Sequence, residues 1–192
     1  MLARELKASF AFAERQFNLI KRYINWEIVD IFYTIINTMT IGLIGIQSEG
    51  KTGNLILYLV IGALLWSFLS VVFHEVSESV SWERWEGTIE YTFMAPIHRL
   101  THLGGMCLYA IGYGAIRTII VLVAVKLFFG LNLTGANLLA GLAVLAASSL
   151  SFIGMGLMAA VLPLMSPEKG SQATHIIQGF ILLISGVYYE VE

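Results

Sequence analysis

Five long apolar runs decide what this chain can fold into: residues 28–46, 55–73, 104–129, 138–164 and 173–189. Their lengths cluster around the roughly 20 residues that an α-helix needs to cross the hydrocarbon core of a bilayer. Only 12% of the residues are charged and the mean hydropathy is +0.78. A water-soluble domain carries roughly 25% charge, so this chain has too little polar surface to cover a core of its own size. Lipid is then the solvent for the outer faces, and the backbone must satisfy its hydrogen bonds internally, as helices do. The reading is an all-α membrane protein with about five transmembrane helices. No Pro/Ser/Gly-rich linker divides it, so residues 1–192 form one domain. The net charge of −2 leaves no basic footprint for nucleic acid. The single cysteine, Cys107, lies inside an apolar run and reads as a small buried residue rather than a disulfide or metal ligand.

Ahead of the first run, Leu6, Phe10, Ala13, Phe17, Ile20 and Ile24 step by three or four, which places them on one face of a helix. Arg4, Lys7, Arg15, Lys21 and Arg22 supply positive charge around them. Residues 1–26 therefore read as an amphipathic helix lying in the membrane interface, with basic side chains near lipid phosphates; a coiled-coil seam is the weaker alternative. The segment lacks the continuous apolar core of a signal peptide. In the fourth run Ala140, Ala143, Ala147, Ser151 and Gly154 form a small-residue stripe that lets another helix approach. Ser166-Pro167-Glu168 has the form of a helix start, with a capping hydroxyl on Ser166 and then proline at the first helical position.

Lysine and arginine in the loops set the orientation. With the N-terminus inside, the inner segments hold Arg4, Lys7, Arg15, Lys21, Arg22, Arg84, Arg99 and Lys169, and the outer loops hold only Lys51. Residues 74–102 are then cytoplasmic. The stretch from Gly45 to Thr52 matches the phosphate-loop pattern G-x-x-x-x-G-K-[ST], but a membrane run precedes it and no α/β unit surrounds it. It reads as a polar turn.

Residues 81–100 are the long polar island of the chain. Trp82, Trp85, Ile89, Phe93 and Pro96 recur at helical spacing, and Glu83, Glu86 and Glu90 form a neighbouring acidic stripe. Like charges three and four apart repel on a lone helix, so the stripe is best explained by a basic surface outside the chain. Gly87 either weakens a continuous helix or breaks it, with Thr88 opening a second short helix; Pro96 ends it. In the third run Arg117 lies near mid-membrane. With no carboxylate assigned to matching depth, its guanidinium must find carbonyls, hydroxyls, water or an anionic ligand. Asn37 and Arg117 are the candidates for lining a translocation path; the plainer alternatives are an interhelical hydrogen bond for Asn37 and a structural arginine. His98 and His102 are four apart but lack a third ligand, so no metal is expected. No Ser/His/Asp or Cys/His set suggests an enzyme active site.

Glu83-Arg84-Trp85-Glu86-Gly87-Thr88-Ile89-Glu90, followed by Ala95-Pro96-Ile97 and Arg99, resembles the cytoplasmic signature of type-2 ABC exporter permeases. The N-terminal amphipathic segment, the position of the signature between the second and third runs, and Ser185–Tyr189 at the end of the fifth agree with that family. The resemblance implies an exporter subunit for a hydrophobic or amphipathic molecule in a prokaryotic cytoplasmic membrane. It implies a permease homodimer working with a separate ATPase subunit. ATP and Mg belong to that partner, and this chain binds no cofactor. Carried over by position, Glu83, Glu86, Gly87, Thr88 and Glu90 are the coupling residues against the ATPase. The family pattern departs at Glu190, where proline is usual, and it continues into a sixth span that this sequence does not supply. On that count the chain reads as part of a longer permease or as a truncated one. The competing class is a membrane scaffold or channel without an ATPase.

Overall fold

A computed structural model describes residues 2–48, 55–130 and 137–189. These form eight helices: α1 (Leu2–Arg22), α2 (Ile24–Ser48), α3 (Leu55–Trp85), α4 (Ile89–Met94), α5 (Arg99–Phe129), α6 (Leu138–Ala159), α7 (Val161–Met165) and α8 (Pro167–Ile184). No strand occurs among the described residues. Half of the phosphate-loop-like pattern, residues 49–52, lies outside the described residues, as does Glu190.

The long helix α3 is the central post, with α2, α5, α6, α7 and α8 all packed on it. Its Val72, Phe73 and Val76 are completely buried. At one end Val60 and Leu64 meet Val121 and Val125 of α5; at the other, Val80 packs with Met106, Ile89 and Ala160. With 31 residues, α3 is about 46 Å long, so it crosses a roughly 30 Å hydrocarbon core and projects beyond it. The projecting end carries the polar island. In contrast, α2 turns Ile28, Val29, Phe32, Tyr33, Ile36 and Leu43 outward, as a helix facing lipid or another chain must.

Four of the helices are long and apolar enough to cross a membrane: Ile24–Ile46, Tyr58–Trp85, Arg99–Phe129 and Ala140–Met165. The fifth expected span is not among them. Residues 173–189 divide into the end of α8 and a turn at Ser185–Gly186, and α8 carries Ser171, Gln172, Thr174, His175 and Gln178 along its length. Ser171, Thr174 and His175 are used against α3. Ser77 Oγ lies 3.2 Å from Thr174 Oγ1, Ser171 donates to Glu78 at 3.1 Å, and His74 stacks on His175 at 4.9 Å. Farther along, Tyr58 donates to the Gly186 carbonyl at 3.3 Å. The two helices thus run antiparallel from Glu78 to Tyr58, joined by hydrogen bonds rather than by apolar packing alone.

Helix α1 lies along α5. Its expected apolar face is split between two environments. Ala13, Phe17 and Ile20 pack against Tyr109 and Tyr113, while Leu6 and Phe10 are exposed. The contact is close because α5 offers Gly105, where a Cβ would lie 2.5 Å from the Ser9 carbonyl oxygen and 2.7 Å from Phe12 Cβ. The small-residue stripe of α6 does not serve its expected purpose inside the chain. Ala140, Ala143, Ala147, Ser151 and Gly154 are all exposed, and α6 meets α3 where Gly156 abuts Phe73 and Val76 and where Phe152 lies edge-on to Trp66 at 6.3 Å. The helix start at Ser166 and Pro167 is present, with proline in the first turn of α8, but the Ser166 hydroxyl makes no capping hydrogen bond.

Gly105→Ala is expected to destabilise the fold by about 1–3 kcal/mol, the usual cost of forcing a carbon into a filled site. Gly154→Ala, where a Cβ would meet nothing within 4 Å, is expected to stabilise by up to about 1 kcal/mol through helix propensity. Thermal unfolding of the two purified variants in detergent checks the contrast.

Candidate functional site

The polar island is built by a helix end that the sequence forces to stop. Gly87 has φ +66°, a left-handed conformation that costs a side chain roughly 1–2 kcal/mol. Around it the Thr88 amide donates to the Glu83 carbonyl at 3.0 Å and the Gly87 amide to the Arg84 carbonyl at 3.3 Å. This paired closure is the Schellman arrangement, which satisfies the last carbonyls of α3 and turns the chain. Of the two sequence readings for Gly87, the break is the one that occurs. Thr88 opens α4, though its hydroxyl points back to the Glu83 carbonyl, at 3.4 Å, rather than capping the new helix. Pro96 follows α4, and His98 caps α5 by accepting the Leu100 amide on Nδ1 at 3.3 Å.

The expected acidic stripe is not one exposed face. Glu83 is only 1% exposed. Its Oε1 accepts from Arg15 of α1 and from His102 Nε2 of α5, the latter at 3.1 Å. Phe12 closes the group, edge-on to His102 at 4.7 Å and beneath the Arg15 guanidinium at 5.6 Å. The sequence reading erred because Glu83 is one helical turn before Glu86, on the side where α3 meets α1 and α5, and charge alone does not reveal that side. Burying a carboxylate in this way is tolerable only with cations and hydrogen bonds at hand. Glu83 therefore joins α1, α3 and α5 at one point.

What remains exposed is a mixed surface. Glu86 is open, and Glu90 pairs with Arg84 at 3.0 Å on the surface. Trp85, Tyr91, Phe93 and Met94 are between 50% and 72% exposed, with Arg99 over the Phe93 ring at 5.2 Å. Ile89, expected on this apolar face, is instead buried under it, at 4% exposure. His98 and His102, four apart in sequence, serve two different contacts. Among the described residues no group of three or more His, Cys, Asp or Glu has metal-binding geometry.

A second tie holds α1 beside this surface. Glu5 Oε2 accepts from the Thr101 hydroxyl at 2.6 Å and from the His98 amide at 3.3 Å, placing a carboxylate at the N-terminus of α5, where the helix dipole favours it. The Thr101 hydroxyl, followed by the His98 amide, holds the Glu5 carboxyl below its ordinary value.

Arg117 does have a carboxylate at its depth. Its Nη1 lies 2.6 Å from Asp30 Oδ2 of α2, and its Nη2 donates to Thr34 Oγ1 at 2.6 Å and to the Asp30 carbonyl at 3.3 Å. The sequence reading missed Asp30 because it measured depth from the ends of the apolar runs. The helix pairing corrects the ruler: Gly42 abuts Phe129, and twelve residues back along each helix from that contact lie Asp30 and Arg117. Asn37 is not part of this group. It is exposed on α2 and makes no hydrogen bond with another described residue, so the structure does not bring the two residues of the proposed path together.

These features define a polytopic α-helical membrane protein with a folded polar segment at one end of its bundle. The chain belongs to the ABC-2 type transporter family, whose model matches residues 8–192, and it is accordingly an integral membrane permease of an ABC transporter. No curated protein and no solved structure matches it.

Glu83→Gln is expected to cost about 1–3 kcal/mol, because the buried His102 would lose its charged partner while the part-exposed Arg15 turns to water; chemical unfolding of the purified chain measures this. The contact made by Glu5 depends on pH with a definite sign. A lowered carboxyl contributes fully above its ordinary value of 4.5 and loses its contribution as pH falls through the lowered value. Hydrogen exchange across α1 should therefore quicken below pH 4.5, and Thr101→Val should move the onset to higher pH.

Proposed function

We propose that the chain is the permease subunit of an ATP-driven exporter, with a separate ATPase seated on the surface formed by Glu86 to Pro96. Two copies of this chain and two ATPase chains make the working unit. ATP and Mg are held by the partner, and the cargo is a hydrophobic or amphipathic molecule. The N-terminus and the polar island face the cytoplasm of a prokaryotic cell, following the distribution of lysine and arginine, and α1 lies in the lipid interface with Leu6 and Phe10 toward the acyl chains.

One observation carries this reading. The exposed aromatic and acidic rim is anchored through Glu83, immediately before it, to Arg15 of α1 and His102 of α5. A push on the rim is thereby delivered to two other helices at a fixed point. A loop without such an anchor would yield locally and transmit little. Trp85, Phe93 and Met94 supply the apolar centre that a docking surface needs, and Glu86 with Glu90 supplies charge at its edge. In this arrangement Glu86, Gly87, Thr88 and Glu90 form the contact, while Glu83 passes the displacement on. Arg117 with Asp30 and Thr34 is the polar element of the membrane interior that such movement would rearrange.

Co-expression with a candidate nucleotide-binding chain, followed by affinity capture, tests the assignment. The wild-type chain is expected to retain the ATPase, and Glu86→Lys with Glu90→Lys to reduce retention tenfold or more, since opposed like charges cost several kcal/mol. Failure of the wild-type chain to capture any ATPase would favour a channel or scaffold instead. In the reconstituted complex, Arg117→Leu is expected to leave insertion intact and to lower ATPase-coupled transport; unchanged transport in this variant removes Arg117 from the path.

A further inference from the structure

Arg117 has two carboxylates near it and is paired with one of them. Its Nη1 lies 2.6 Å from Asp30 Oδ2 and also donates to the Tyr113 hydroxyl at 3.4 Å. That hydroxyl donates in turn to Glu27 Oε2. Glu27 is thus one hydroxyl away from the guanidinium, and it has no ion pair among the described residues. Glu27 and Asp30, three apart, share one face of α2, and Tyr113 and Arg117, four apart, share one face of α5. The packing of α2 is uneven along its length. Of the α2 span 17% is buried, against 50% of the α3 span. One end is held, where Ile35 and Met39 pack on the Val60–Val121 cluster and a Cβ on Gly42 would lie 2.6 Å from the Phe129 ring. The other end is open. Trp26, Val29 and Tyr33 are between 60% and 75% exposed, and the Asp30 side chain is 57% exposed although it carries the ion pair.

We propose that Glu27 is a second partner for Arg117, so that the contact between α2 and α5 has two positions. In the position seen, Arg117 is on Asp30 and the Tyr113 hydroxyl satisfies Glu27. In the other, α2 tilts about the Gly42–Phe129 contact, Arg117 passes to Glu27, and the Tyr113 hydroxyl gives way. Asp30, already open on one side, is the carboxylate that is released. The ion pair is exchanged rather than broken, so the buried guanidinium is never left without a carboxylate, the state that costs most. The offset between the two partners is three residues, an axial distance of about 4.5 Å, which a long arginine side chain covers in part by itself. Glu27 and Tyr113 act here as positioning residues for Arg117. The exchange lies within this chain and does not depend on the ATPase assignment.

Distances between spin labels test this in the full chain, purified in an uncharged detergent with Cys107→Ser, which removes its one cysteine. One pair of labels, at Trp26 and Leu108, spans the open end of α2 and α5. A second pair, at Leu43 and Phe128, spans the held end; all four residues are exposed. In Asp30→Asn the first distance is expected to shift by about 3–4 Å, most of the rise of three helical residues, while the second stays as it is. Tyr113→Phe leaves Asp30 in place but frees Glu27, and is expected to show the shifted distance as a second population. Adding Glu27→Gln to either variant is expected to abolish the shift, which a merely loosened helix would not do. Circular dichroism and elution volume verify that each variant is folded. A shift in either variant that disappears with Glu27→Gln supports the exchange. The proposal is overturned if neither folded variant shifts, if the shift survives the loss of Glu27, or if the held end moves as far as the open one.

Discussion

Glu83 is the constraint on which the working end of this molecule depends. One carboxylate oxygen receives Arg15 from α1 and His102 from α5, while its own residue sits four positions before the turn at Gly87 that ends α3. Remove that charge and three helices lose their common point, because the buried imidazole of His102 cannot turn to water in its place and the part-exposed Arg15 would turn outward. The short helix α4 has little else to fix it. At six residues it is far below the length at which a helix is stable alone, and its position derives from the Schellman closure and from Ile89 buried beneath it.

The membrane interior follows the same logic with different partners. Arg117 is costly in a low-dielectric environment, and α2 answers it with Asp30 and Thr34, one turn apart on the face that meets α5. Along the other side of α3, hydroxyl and imidazole groups of α8 find partners at Ser77, His74 and Glu78. Such pairings permit helices of modest apolarity to pack where apolar surface alone gives little drive, since lipid tails are as apolar as the side chains they would replace. The bundle is therefore fixed in register by a few polar contacts and filled in by valine, alanine and phenylalanine.

The sequence made the helical membrane architecture plain, and with it a start of α8 at Pro167; it left a break at Gly87 as one of two readings, and the left-handed φ there decides for the break. Family membership was legible in the Glu83–Arg99 pattern. The fifth run was read as a span from the hydropathy of residues 173–189, and the polar groups that open α8 keep that helix out of the four long and apolar enough to cross among the described residues. Glu83 was assigned to the surface with Glu86 and Glu90 because the three share a charge and a spacing, and spacing on one helix does not say which side meets a neighbour. For the same reason the stripe on α6 identified a small-residue face but not its direction.

Period and composition are local properties, and they settled which segments are helical and which of them belong in lipid. Backbone hydrogen bonding in a bilayer allows little else. Partnership is not local. Glu83 and Arg15 are 68 positions apart, and Arg117 and Asp30 are 87 apart; each pair exists only because α1, α2 and α3 pack around α5 at particular depths. The tertiary structure alone decided which carboxylates became anchors, as Glu83 and Asp30 did, and which, as Glu86 and Glu90, stayed exposed.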